Sequence, residues 1–257
     1  MITLELLATW TVIFLRASGL LALFPVFSSP GIPTRVRISL GVLLAFLLCP
    51  LIPPVNWDGL SLWEVIGRMT MEVGIGLMFG FVTKLMFFAL EFAGLLISTE
   101  IGLNIQAMFN PVGNPQSPVP AAILTYLGSV IWLSLDLHHW LLVAFRESYH
   151  VLPVGSAQLQ EPMVREVLSW IGVLFVTGLQ MAAPVMAVCF LISLVFSVLG
   201  RAVSQMNVFT ESFSVRLMVG LGFFGAGIQL LGQQIVNFLH RIPDDLIRIA
   251  RLLSTQA

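Results

Sequence analysis

Residues 63–105 read WEVIGRMTMEVGIGLMFGFVTKLMFFALEFAGLLISTEIGLNI, and this run contains no proline. A bilayer crossing takes about 20 apolar residues in an α-helix, because every backbone amide in hydrocarbon needs an internal partner. The run therefore predicts a helix that is much longer than one crossing. We expect it either to bend at Gly94 or to extend beyond the membrane.

The rest of the chain is similarly apolar. Of its 257 residues, 58% are hydrophobic and 10% are charged, whereas a soluble domain carries about 25% charged residues. Apolar runs recur from Leu4 to Leu239, and no polar block between them is long enough for a separate domain. The composition predicts a single all-α domain of membrane type over residues 1–257.

Prolines and glycines divide the other apolar runs into further helices. Pro184 should kink one of them, because a proline inside a helix removes a backbone hydrogen bond. The last two runs predict a helical hairpin, and arginines at 241, 248 and 251 predict an amphipathic surface helix in the tail. The predicted segments are Leu4–Phe24, Val36–Cys49, Ala121–Leu135 with a possible continuation to Tyr149, Val164–Leu199 and Phe213–Leu239.

Several charged residues lie within or at the edges of these apolar helices. A charge at the bilayer centre costs at least about 2.5–3.5 kcal/mol, so each needs a partner or water. We expect structural ion pairs at helix contacts, and an ion or proton pathway is the alternative. The residues are Arg16, Glu72, Lys84, Glu91, Glu100, Arg201 and Arg216.

Spacing suggests local partners for some of these charges. Arg68 precedes Glu72 by four residues and Lys84 precedes Glu91 by seven, so each pair shares one helix face. Each pair could meet directly or through a shared neighbour.

Two glycine-rich segments predict close helix packing, EVGIGLMFGF at 72–81 and GLGFFGAG at 220–227. Glycine lets helix backbones approach where the hydrophobic effect offers no help. We expect close contacts at Gly76, Gly80, Gly222 and Gly225. Contacts within the chain and contacts to other subunits are equally compatible with this pattern.

The sequence shows no pattern typical of catalysis or metal binding. His138 and His139 are adjacent and are not expected to share one helix face, while His150 and His240 have no carboxylate at metal-ligand spacing. No GxSxG elbow or phosphate-binding loop is present. The net charge is −1 without a basic cluster, which argues against nucleic acid as a partner. We predict no enzyme activity, no cofactor and no metal site.

Residues 104–120, NIQAMFNPVGNPQSPVP, form a polar loop between two strongly apolar segments. Its prolines push the preceding residues to extended conformations, so the loop is irregular. Irregular backbone at membrane depth is tolerated where protein buries it or where it lines a cavity. Loops of this length tend to be functional, although an ordinary connection at the membrane surface is the alternative.

Five segments, taken in order, resemble the FliR family, the export-gate subunits of the bacterial flagellar type III secretion apparatus and its injectisome relatives. The resemblance covers essentially the whole chain, and the order and spacing of the segments carry it. They are RASGLLALFPVFSSPGIPTRVRISLGVLLAFLLCP at 16–50, EVGIGLMFGF at 72–81, FNPVGNPQSPVP at 109–120, HHWLLVAFRESYHVLPVGS at 138–156 and LGRAVSQMNVF at 199–209.

The resemblance implies a structural subunit that joins FliP and FliQ in a closed helical assembly, with FlhB and FlhA as further partners. It places that assembly in the flagellar basal body at the bacterial inner membrane, where it passes unfolded export substrates. By the same resemblance, residues 1–150 are FliP-like, 151–163 are a linker, 164–240 are a FliQ-like helical hairpin and 241–257 are the tail.

The resemblance also implies that the loop at 104–120 is a plug that projects into the export channel and helps to hold it shut. Bulky methionine suits a seal that must conform to varied shapes. The implied plug residues are Met108, Phe109, Asn110, Pro111, Val112, Gly113, Pro115 and Pro118.

A small secondary transporter or ion channel is the competing interpretation, with the buried carboxylates and lysine as its site. Transporters usually show repeated halves with paired helix breaks. This chain has one loop of that kind and one terminal hairpin, so the pattern favours the export subunit.

Overall fold

The computed structural model of the chain describes residues 4–28, 31–55, 57, 59–103, 118–157, 161–203 and 207–254. These residues are helical and contain no strand, which confirms the predicted all-α class. The helices are α1 (Leu4–Leu23), α2 (Pro25–Ser28), α3 (Thr34–Leu48), α4 (Leu62–Ile101), α5 (Val119–Ser134), α6 (Leu137–Val151), α7 (Glu161–Ala202), α8 (Val208–Ala226), α9 (Ile228–Leu239) and α10 (Ile242–Leu253), with a short 3-10 helix at Cys49–Leu51.

The proline-free run forms one continuous helix, α4, of 40 residues. At 1.5 Å per residue it is about 60 Å long, roughly twice the hydrocarbon thickness of a bilayer. A bend at Gly94 and extension beyond the membrane both stay predictions, since α4 is one continuous helix in either case.

The predicted segment from Ala121 to Tyr149 is two helices. The break lies at Leu135 and Asp136, and Asp136 has a left-handed backbone with φ 53°. Such a conformation ends a right-handed helix, and aspartate tolerates it better than most residues do. The predicted helix Ala121–Leu135 is confirmed as α5, whereas the suggested continuation to Tyr149 is a separate helix, α6.

The second arm of the predicted hairpin also differs from expectation. It begins at Val208 instead of Phe213, where the Asn207 side chain accepts a hydrogen bond from the backbone amide of Thr210 at 3.4 Å. It then divides at Gly227 into α8 and α9. The first arm, α7, is continuous through Pro184 over 42 residues.

The helices form two compact units that alternate along the chain. The first unit is drawn from residues 1–86, 136–170 and 240–257, and the second from residues 87–135 and 171–239. The long helices α4 and α7 therefore contribute one part to each unit. The implied division of the chain into FliP-like and FliQ-like parts is a separate matter and stays a prediction.

In the first unit, α1 packs against α3 and α6 packs against α10. The tail helix α10 is amphipathic as predicted, with Ile242, Leu246 and Ile249 buried while Arg248 is exposed. Because α6 contacts this helix, its apolar face is covered by protein within the unit.

In the second unit, α9 packs against α5. Aromatic contacts connect further helices: the Phe87 and Trp132 rings meet edge to face at 6.4 Å, and the Phe92 and Phe175 rings do so at 5.1 Å. Gly94 allows α4 and α5 to approach closely, because a Cβ atom there would lie 2.8 Å from the Cβ atom of Ala121.

Within the described ranges, four helices are long and apolar enough to cross a membrane, and the number rises to six if two bent helix pairs each count as one span. They differ in how much the chain itself covers them. In the most apolar stretch of α4, 56% of residues are buried, against 17% in α3 with its 3-10 extension and 17% in α7. The apolar side chains of α3 and α7 therefore need lipid or other protein chains around them.

Candidate functional site

The best-defined polar cluster of the described residues is centred on Arg16, in the middle of α1. Its side chain is fully buried, and its Nε donates to Oε2 of Glu72 at 2.6 Å. Glu72 lies on α4 and is also fully buried. The buried guanidinium therefore has the opposite charge that its removal from water requires.

Helix α6 and the residue just after it supply the other partners of Arg16. One terminal nitrogen donates to the Ser148 hydroxyl at 3.0 Å and the other donates to the Leu152 carbonyl at 3.3 Å. The Tyr149 ring lies below the guanidinium, 3.8 Å from its central carbon, a distance suited to a cation–π contact. One side chain thus connects α1, α4 and α6 within the first unit.

Two polar atoms at the edge of this cluster are buried and have no hydrogen-bond partner among the described residues, Glu72 Oε1 and the Tyr149 hydroxyl. The cluster is therefore charge-paired and only partly hydrogen-bonded. Removing the two charges from water costs free energy, and their mutual attraction offsets this cost only while the Arg16–Glu72 pair is intact.

Glycines bring α1 and α4 close enough for this ion pair to form. Glu72, Gly76 and Gly80 are spaced by four residues and share one face of α4. A Cβ atom at Gly76 would collide with the Arg16 carbonyl, and one at Gly80 would lie 2.7 Å from the Leu20 carbonyl oxygen. The structure places these two glycines in contacts within the chain.

Gly222 and Gly225 are arranged differently. No heavy atom lies within 4 Å of a Cβ atom built at either position, within the part of the chain that is described. Gly220, which the motif analysis did not select, instead packs on Ile101 and Cys189. Close packing at Gly222 and Gly225 stays a prediction.

The remaining predicted charges differ in their exposure. Lys84, Glu91 and Arg201 are exposed, while Glu100 and Arg216 are half-buried. None of these five has an ion pair within the described residues. Their burial depends on molecules around this chain and also stays a prediction.

The suggested pairing of Arg68 with Glu72 is wrong. Glu72 pairs with Arg16, whereas the Arg68 side chain packs beside Gly155, 3.0 Å from the position that a Cβ atom would occupy there. Helical spacing permits a contact between residues four apart, but the Glu72 carboxylate instead binds Arg16 on another helix.

The predicted plug residues Met108, Phe109, Asn110, Pro111, Val112, Gly113 and Pro115 lie outside the described residues. The two ends of their loop are described, and both belong to the second unit. On one side, Gly102 has a left-handed backbone with φ 93° and packs against the Phe213 ring. On the other, Pro118 occupies the N-cap of α5.

A second polar cluster lies at the start of α6. Asp136, His138 and His139 place one ligand-type atom each within 4.8 Å of one another. The expectation that the adjacent histidines diverge is wrong here, since their ring centroids are 4.1 Å apart.

Comparison with known proteins identifies the family of this chain. The model of a family described as bacterial export proteins, family 1, matches residues 7–242. This chain belongs to the bacterial export proteins, family 1. The matched residues of this family 1 export protein include Arg16 and Glu72 of the buried ion pair. They also include both ends of the loop at 104–117.

Several curated relatives of this family 1 export protein carry the name flagellar biosynthetic protein FliR. The relative from Pectobacterium carotovorum subsp. carotovorum is 28% identical over 242 residues, covering 94% of this chain and 92% of the relative. That from Escherichia coli (strain K12) is 26% identical and covers 90% and 91%. That from Aquifex aeolicus (strain VF5) is 30% identical and covers 84% of each chain. The resemblance found in the sequence is therefore confirmed.

Proposed function

We propose that this family 1 export protein is a non-enzymatic, structural subunit of the flagellar type III protein export gate. The family match over residues 7–242 carries the proposal, and the shared name of the relatives supports its flagellar assignment. The site chemistry agrees with a structural role, because the buried Arg16 and Glu72 neutralise each other and connect helices.

The proposed partners are FliP and FliQ in a hetero-oligomeric helical assembly, with FlhB and FlhA adjacent to it in the basal body of the bacterial inner membrane. The large exposed apolar side chains of α3 and α7 support an assembled state. Phe46 on α3 is 70% exposed, and Val198 on α7 is 68% exposed. Exposed apolar surface of this extent marks protein or membrane contacts.

The loop at 104–120 is proposed to be the plug that closes the channel to ions and small solutes while unfolded export substrates displace it. Two observations at its base support this role. The end of α4 is buried, since Ile101 has no exposed surface, and α5 begins at Pro118–Val119 and packs closely on Gly94 through Ala121. The two ends of the proposed plug are therefore held by packed helices.

Co-purification tests the assembly. The full chain, tagged and expressed with FliP and FliQ from its own host, should elute with both proteins as one stable complex in mild detergent. A chain that elutes alone, is monodisperse and binds a small solute would favour the transporter or channel interpretation. Deletion of the gene should abolish secretion of flagellar subunits and motility, and the intact gene should restore both.

A further inference from the structure

Asp136, His138 and His139 form a cluster that the export role does not use. The Oδ1 atom of Asp136 lies 3.5 Å from Nδ1 of His139 and 3.9 Å from Nε2 of His138. The two imidazole rings lie side by side, tilted by 36°. One carboxylate oxygen and two imidazole nitrogens therefore converge on a single small volume.

The backbone at the start of α6 builds this arrangement. Asp136 is the only described residue other than glycine with a positive φ, and it immediately precedes the first residue of the helix. Its left-handed conformation directs the carboxylate back over the first turn, where His138 and His139 lie. The side chains of Asp136, His138 and His139 thus meet within one four-residue segment, and no described residue of another helix belongs to the cluster.

Burial determines which nitrogen of His138 is available. Its Nδ1 atom is shielded from solvent and has no hydrogen-bond partner among the described residues, whereas Nε2 is the atom that faces Asp136. For His139, Nδ1 faces the same carboxylate. The available donor set is therefore one Nε2, one Nδ1 and one carboxylate oxygen.

We propose that Asp136, His138 and His139 bind a divalent transition-metal ion of the zinc class, with a fourth position open to water. Metal–nitrogen bonds of about 2.0–2.1 Å at tetrahedral angles place ligand atoms about 3.3 Å apart. The observed 3.5 and 3.9 Å exceed this by about 0.2 and about 0.6 Å.

The side chains have room to make this adjustment. Those of Asp136 and His139 are 70% and 68% exposed, so small rotations meet little resistance. Imidazole with carboxylate suits zinc, nickel, copper and cobalt better than magnesium or calcium, which prefer all-oxygen ligands. A bound ion would hold the first turn of α6 to the residue before it.

Cobalt titration tests the site in the full chain, purified in detergent after removal of any polyhistidine tag. We expect one Co²⁺ per chain, with the visible absorption of tetrahedral nitrogen–oxygen coordination, and displacement of Co²⁺ by Zn²⁺. His138→Ala and His139→Ala should each weaken binding more than about 100-fold, because loss of even an outer partner of a metal ligand costs about 10–100-fold. Asp136→Asn should weaken it about 10-fold or more.

The other histidines provide matched controls, since the chain has four in total, His138, His139, His150 and His240. His150→Ala and His240→Ala should leave the Co²⁺ spectrum and affinity unchanged. An unchanged affinity in the His138→Ala/His139→Ala double variant, or an equal loss in the controls, would overturn the site. If His138→Ala alters elution on gel filtration, its loss of Co²⁺ binding could reflect misfolding. The His139→Ala variant then tests the site, because the His139 side chain is exposed.

Discussion

The Nε atom of Arg16 and the Oε2 atom of Glu72 are 2.6 Å apart, and neither side chain is exposed. The two residues are separated by 56 positions in the chain, so this single contact joins helices that are distant in sequence. A buried ion pair of this kind gives little net stability over an apolar pair, but breaking it leaves an uncompensated charge in the core.

Replacing Glu72 alone should therefore destabilise the protein strongly. We expect Glu72→Met to lower the free energy of unfolding by about 3–5 kcal/mol, because the Arg16 guanidinium stays buried without its counter-charge. The double variant Arg16→Met/Glu72→Met should recover part of this loss. Thermal unfolding of the purified chain or complex, followed by size-exclusion elution, measures both effects.

The exposed pair Arg165 and Glu161 serves as the control, with an N–O distance of 2.7 Å and both side chains 77% exposed. Glu161→Ala should change stability by less than about 1 kcal/mol, because solvent screens exposed pairs. Equal losses for Glu72→Met and Glu161→Ala would contradict the assigned role of the buried pair.

Gly76 and Gly74 should respond in opposite ways to the same substitution. Gly76→Ala places a methyl group on the Arg16 backbone, so α1 and α4 must separate, and overpacking of this kind costs about 1–3 kcal/mol. No described atom lies within 4 Å of a Cβ built at Gly74, so Gly74→Ala should stabilise the helix by up to about 1 kcal/mol. Unfolding midpoints that shift in the same direction would refute the close contact at Gly76.

Gly102 should tolerate alanine poorly for two reasons that can be separated. Both Gly102 and Gly59 have positive φ, at 93° and 80°, which costs an alanine about 1–2 kcal/mol. At Gly102, a Cβ atom would also lie 2.5 Å from the Phe213 ring, whereas Gly59 has no neighbour within 4 Å of a built Cβ in the part of the chain that is described. Gly102→Ala should therefore lower the unfolding midpoint more than Gly59→Ala, and equal shifts would show that the Phe213 contact is unimportant.

Shortening the proposed plug should open the gate without preventing its assembly. Deletion of residues 109–117 removes bulky and proline-stiffened segments, while the helix ends at Ile101 and Val119 keep their packing. We expect cells to become leaky to ions or small solutes, measured as uptake of a membrane-impermeant dye, with normal recovery of the complex.

A length-matched variant distinguishes side chains from loop length. Replacing residues 109–117 by the same number of glycines and serines should also cause leakage, because flexible polar residues exclude water poorly. Unchanged permeability in both variants, with the complex fully assembled, would remove the plug from the proposal and leave the structural role intact.

Part of the buried cluster was visible in the sequence. Glu72 was selected as a costly charge, and Gly76 and Gly80 as small residues on a helix face, because both signals are local. Helical spacing allowed Glu72 to meet Arg68 or a shared neighbour and could not indicate Arg16, since spacing reports only neighbours on the same helix. Asp136 gives no signal of its own in the sequence, and the adjacency of His138 and His139 predicts diverging side chains, whereas the structure places their ring centroids 4.1 Å apart.

The amino-acid sequence by itself determined the helical class, the positions of the long apolar helices and the family, because hydrophobic runs and proline placement act locally along the chain. Only the tertiary structure decided which charge is buried and which glycine is in contact. Arg16 and Gly76 lie at the crossing of α1 and α4, while Lys84 and Gly222 do not, within the described residues. That difference depends on how each helix is rotated against its neighbours, and many distant contacts together determine this rotation.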